Sequence, residues 1–187
     1  MEIKSVFNDL DTFYKAYSRQ YKFMNPRYAK TYNSLSWENH ISNEKFDSYE
    51  EYYQWVIDKI QYSLLLGDES AVQIYFEGER KGKKYEIKKG SMAYLPNPKK
   101  YSEYFRFDLD YKNSEHYNHT AYHIHFGYKA KDVRFSLLSM PLPSEFIKFI
   151  LFLDYNVEYE YFNDKNFLPD LDKLDNKYNH ILQLIKR

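Results

Sequence analysis

Apolar residues at Ile3, Val6, Phe7, Leu10, Phe13, Tyr14 and Tyr17 recur at the i, i+3, i+4, i+7 spacing of an amphipathic helix. From Met24 to Lys45 that periodicity dissolves among Asn25, Pro26, Asn33, Ser34, Asn39 and Asn43, which predicts a long irregular excursion holding Trp37 and His40. Ser48 followed by Glu51 is a capping box, and the stripe Tyr49, Tyr52, Tyr53, Val56, Ile60 and Leu64 predicts a second helix that reaches Leu66 and stops at Gly67. The period then changes from 3.6 to 2. Val72, Ile74 and Phe76 alternate with polar neighbours, a turn follows at Glu79 to Gly82, and Tyr85 and Ile87 resume the alternation, which is the pattern of a β-hairpin.

After the break Leu95-Pro96-Asn97-Pro98, three more strands are predicted over Tyr104 to Asp110, His119 to Phe126 and Asp132 to Leu138. Pro143-Ser144-Glu145 then introduces Phe146, Ile147, Phe149, Ile150, Leu151, Phe152 and Leu153, a run apolar almost all round and therefore a buried helix. Leu171, Leu174, Tyr178, Ile181 and Ile185 give the spacing of a C-terminal helix. Helices at both ends and strands between them predict one α+β domain over residues 1–187, with an antiparallel sheet of about five strands and the N-terminal and C-terminal helices packed on one face.

The three central strands sort their side chains by parity. Phe105, Phe107 and Leu109, then Tyr122, Ile124 and Phe126, then Val133, Phe135 and Leu137 form an apolar set. The opposite parity carries Arg106, Asp108, Asp110, His119, His123, His125, Arg134 and Ser136, because residues two apart on a strand point the same way. Four of the six histidines, His116, His119, His123 and His125, lie within ten residues of one another. Histidine is the side chain whose charge changes near neutral pH, so this face is the candidate site.

Composition narrows the partners without choosing one. The 27 Lys and Arg balance the 27 Asp and Glu, so any attraction to a polyanion has to be local to a face. There is no cysteine, no apolar run long enough to span a bilayer and no secretory-type leader pattern, which leads us to expect a cytoplasmic chain without membrane contact. Tyrosine is over-represented at 22 copies beside 14 phenylalanines. Such a surface suits base stacking or protein contact, although Lys, Asn, Tyr, Phe and Ile rise together here as they do in AT-rich coding sequence.

His123 and His125, at i and i+2 on a strand, have Cα atoms roughly 6.5 to 7 Å apart and share a face. Two chemistries use such a pair. With Asp108 or Asp110 they would grip a metal ion, but no cysteine and no further ligand spacing completes a shell, so no metal or cofactor is expected. Without a metal, one histidine takes a proton from an attacking hydroxyl, a second donates to the leaving oxygen, Arg106 or Arg134 balances the phosphate charge, and Asp108 orients an imidazole. That is the logic of metal-independent ribonucleases. Ordinary cross-strand pairing on an outward sheet face would place the same residue types there for stability alone. Gly-rich phosphate loops, nucleophile elbows and zincin motifs are absent from the sequence.

The succession Tyr104-Phe-Arg-Phe-Asp108, His119, His123-Ile-His-Phe-Gly127, Arg134 and Pro143-Ser-Glu-Phe-Ile-Lys-Phe-Ile150 resembles an uncharacterised bacterial family known only as a domain of unknown function. It is more distantly similar to TumE-like toxins of toxin–antitoxin pairs. The resemblance implies a conflict-system or phage-defence setting and marks His123, His125, Arg106 and Arg134. With His119 and Asp108 from the face argument, these are the expected catalytic positions. The expected function is binding of RNA or another phosphate-containing ligand, with toxin-like metal-independent cleavage as its stronger form. The alternative is a non-enzymatic factor that occupies a protein partner, an antitoxin or a target, through tyrosines. Edge strands also offer a homodimer surface.

Overall fold

The computed structural model describes residues 1–17, 26–38, 40–41, 45–101, 104–111, 121–127, 134–137 and 139–155. Helix α1 spans Ile3–Tyr17 and buries Ile3, Val6, Leu10 and Phe13, the stripe read from its periodicity. Eight strands follow: β1 Tyr28–Lys30, β2 Ser34–Trp37, β3 Leu64–Leu65, β4 Ala71–Lys81, β5 Lys84–Leu95, β6 Phe105–Asp110, β7 Tyr122–Phe126 and β8 Arg134–Ser136. Helix α2, Tyr49–Asp58, lies between β2 and β3, and helix α3 spans Pro143–Tyr155. The architecture is α+β with a wholly antiparallel sheet in the order β1-β2-β4-β5-β6-β7-β8, and β3 pairs with β4. The chain divides into two compact units, Met1–Phe146 and Ile147–Arg187; in the second, the described residues are those of α3 up to Tyr155. No helix among the described residues is long and apolar enough to cross a membrane.

Among the described residues the sheet has eight strands where about five were expected. The segment expected to be irregular holds β1 and β2, and Leu35 of β2 pairs with Phe76 of β4, both fully buried. Helix α2 ends at Asp58, short of Leu66, because Ile60 takes a left-handed backbone (φ 54°) and Leu64 and Leu65 pair with Val72 and Ala71 as β3. Its start is as read. The Ser48 hydroxyl accepts from the Glu51 amide at 3.1 Å, and the Glu51 carboxylate accepts in turn from the Asp47 amide. The expected C-terminal helix over 171–185 lies outside the described residues.

The β4–β5 hairpin is the spine of the sheet. Its register slips by one residue between Glu77 and Gly78, a bulge that fixes the parity of both strands on the far side. Gly90 sits opposite Phe76, and a Cβ there would lie 2.7 Å from the Phe76 ring, so only glycine lets that ring lie flat on β5.

The start of α3 and helix α2 meet opposite faces of the sheet. Phe146, at the start of α3, meets Phe105 and Phe107 edge-on at 5.8 and 5.5 Å on the apolar face. On the other face, α2 lays Tyr49, Tyr52, Tyr53, Trp55 and Val56 against Ala71, Ala93 and Leu95. Asp9 of α1 ties the start of α3 by accepting from both the amide and the hydroxyl of Ser144, at 2.8 and 2.7 Å.

Candidate functional site

The register of the central strands assembles two polar rows across the face that α2 covers at one end. One runs Gln73, Ala93, Arg106, His125, Arg134, and the next runs Tyr75, Ser91, Asp108, His123, Ser136. Residues directly opposite on neighbouring strands share a face, so parity and register together bring Arg106, Asp108, His123 and His125 to one place. Arg134 is opposite His125 in the backbone ladder. His119 and His116 lie outside the described residues, as does His180.

Asp108 is the hub. Arg106 donates from both Nε and Nη2 to its Oδ2, each at 2.8 Å, and His125 donates from Nε2 to the same oxygen at 3.1 Å. His123 Nε2 lies 3.8 Å from that oxygen, and its ring meets the His125 ring edge-on at 4.8 Å between centroids. Ser91, across the strand pair, adds a further hydrogen bond to the carboxylate. Burial alone would raise the acid's pKa. The His125 and Ser91 hydrogen bonds and the Arg106 charge outweigh it and hold Asp108 down at about 2. The Arg106 guanidinium shows the reciprocal balance: burial opposes its charge, and Asp108 more than restores it.

Both histidines are buried, His123 at 6% and His125 at 8% exposure, whereas 36% of the Arg106 side chain is exposed. The face is thus a recessed cluster with one partly open cation, not the open platform that strand alternation suggests. Arg106 stands at the border of the α2 contact, where Tyr104 stacks on Tyr49 and tilts against Tyr52, and Tyr52 donates to Gln73 Oε1 at 3.2 Å.

The chemistry open to this arrangement follows from the tautomer. A neutral imidazole that donates from Nε2 keeps its lone pair on Nδ1, so His125 held by Asp108 is oriented as a proton acceptor. Asp108, His123 and His125 are the one group of three His, Cys, Asp or Glu side chains among the described residues with metal-ligand spacing. Their donor atoms lie within 4.8 Å of one another.

Residues 99–183 match the model of a family described as "Uncharacterized conserved protein (DUF2290)". The matched segment is under half of the chain and contains Arg106, Asp108, His123 and His125. No curated protein matches the chain. No solved structure matches it either. The domain-of-unknown-function likeness is therefore supported, while the similarity to TumE-like toxins gains no support from these comparisons.

Sequence reasoning missed Ser91, although Lys89, Ser91, Ala93 and Leu95 share one parity of β5 and place a hydroxyl among the charges. It also missed the aromatic border at Tyr52 and Tyr104. Nothing in local sequence pairs an α2 tyrosine with Tyr104, because that contact depends on how α2 lies across the sheet.

Proposed function

We propose that the Arg106–Asp108–His123–His125 cluster is an acid–base site for a phosphodiester, with RNA as the substrate class. The observation that carries this reading is the shared Oδ2 of Asp108, which fixes a histidine and an arginine on one carboxylate while a second histidine stands 3.8 Å away. His125 takes the proton of the RNA 2′-hydroxyl as that oxygen attacks phosphorus. The O2′–P bond forms, the P–O5′ bond breaks, and His123 in its protonated form donates to the departing O5′. Asp108 stabilises the imidazolium that forms on His125, in the role carboxylates play in catalytic triads, and Arg106 balances the extra negative charge on the phosphate. Arg134, opposite His125 in the backbone ladder, and His119, which lies outside the described residues, are further positions to test.

The test is expression of the wild type and of the His123→Ala, His125→Ala double variant in a bacterium, following growth and total RNA integrity, with thermal melts of both purified proteins. We expect growth arrest and RNA decay with the wild type alone; cleavage retained by a folded double variant would falsify the assignment.

A second reading rests on the 4.8 Å clustering of the Asp108, His123 and His125 donor atoms. Two imidazoles and a carboxylate with an open position suit a transition-metal ion. Such an ion would have to draw Oδ2 away from Arg106 and His125. One equivalent of metal in the purified protein, lost in His123→Ala, would favour it; metal-free protein that still cleaves RNA would sink it.

A further inference from the structure

The row that holds Asp108 and His123 continues across Ser91 to Tyr75, two strands away on the same face. At the strand spacing of about 4.7 to 4.9 Å, Tyr75 lies roughly 9 to 10 Å from Asp108. The His40 imidazole stacks on Tyr75, with centroids 5.7 Å apart and planes at 21°, and Lys89 Nζ lies 5.9 Å from the Tyr75 ring centroid. His40 is solvent-exposed, yet it is held in place from both sides. Its neighbour Trp37 meets it edge-on at 4.7 Å. Trp37 Nε1 and the Ile41 amide both donate to Oε1 of the fully buried Gln61, each at 2.9 Å. Tyr75 is fixed in turn by its hydroxyl, which donates to Glu77 at 2.9 Å.

An exposed ring this firmly pinned has little rotamer freedom left to lose on meeting a flat ligand. Burial, helped by the Lys89 charge, lowers the His40 pKa, which favours the uncharged ring. Lys89 supplies the positive charge beside the stack. Glu77 pairs with it across the strands and Asp110 flanks it on the other side, which keeps the patch from being a general polyanion trap.

Building on the acid–base reading of the neighbouring cluster, we propose that His40 and Tyr75 form a nucleobase-stacking subsite. A base of single-stranded RNA lies on the exposed face of His40 while the adjoining backbone phosphate reaches Arg106. Stacking on an aromatic ring is tolerant of base identity, so the subsite positions the strand without reading its sequence.

The test uses the full chain, a fluorescently labelled ten-nucleotide oligoadenylate and a base-free ribose-phosphate oligomer of the same length, with binding followed by anisotropy at low salt. His40→Ala and Tyr75→Leu, both checked by thermal melt, should each weaken oligoadenylate binding at least fivefold and leave the base-free oligomer unchanged. His40→Phe should retain binding. Equal losses on both oligomers, no loss on either, or a wild type that does not bind oligoadenylate would each overturn the subsite. The acid–base reading fails separately: the His123→Ala, His125→Ala variant would then cleave as the wild type does, whatever the stacking variants show.

Discussion

The two faces of β6 and β7 are buried to nearly the same depth by opposite means. Leu109 and Ile124 on one side are 4% and 7% exposed, and His123 and His125 on the other are 6% and 8%. The apolar face gains from every methylene removed from water, about 25 cal/mol per Å². The polar face loses hydration and recovers part of it through Asp108, whose one oxygen holds Arg106 and His125 together. Depth of burial is therefore a poor guide to which residues stabilise the fold. The apolar side should dominate stability, and the polar side should dominate any chemistry.

The largest effect separating the faces should be on RNA cleavage, where His125→Ala should lower the rate by about a hundredfold or more while costing only about 1 to 3 kcal/mol of stability through its lost hydrogen bond to Asp108. An equal loss of folding would return His125 to a structural role. Next comes Phe76→Ala, which empties a fully buried position of the apolar face and should cost about 3 to 5 kcal/mol in denaturant unfolding. A cost under 1 kcal/mol would mean the core collapses freely around that site.

Asp108→Asn should lie between the faces, destabilising by about 1 to 3 kcal/mol at neutral pH because Arg106 and His125 lose a charged acceptor. Its signature is the pH dependence. The Asp108 pKa is depressed from 3.8 to about 2 in the fold, so its stabilisation is complete above pH 4 and is lost as pH falls from 4 through 2. The wild type should lose about 2 kcal/mol more than Asp108→Asn over that window; parallel acid profiles would refute the hub. Smallest of all, Lys81→Ala removes an exposed pair with Glu86 and should leave the melting temperature unchanged.

How much of this was legible in the sequence depends on length and phase. The parity of β6 and β7 could be read because five or six alternating positions agree, and α1 because its stripe spans four turns. Strands β1 and β2, with three and four residues, offer too few alternating positions to stand out from a loop. Strand β3 was absorbed into the α2 stripe, since Ile60 and Leu64 keep helical phase and nothing local announces a positive φ at an isoleucine. The candidate site was legible as a set of residues but not as a geometry. The pairing of Arg106 with His125 and of Asp108 with His123 is set by register, which no local pattern states.

The grip of Asp9 on Ser144 also bears on how the molecule assembles. The partners are 135 residues apart, so the carboxylate of α1 has to wait for all eight described strands to be made before it meets its hydroxyl and amide. Contacts of such separation close late and slow the search for the native state. During synthesis α1 would have its apolar stripe formed but its final partner still inside the ribosome, a period in which that helix depends on transient shelter rather than on its own fold.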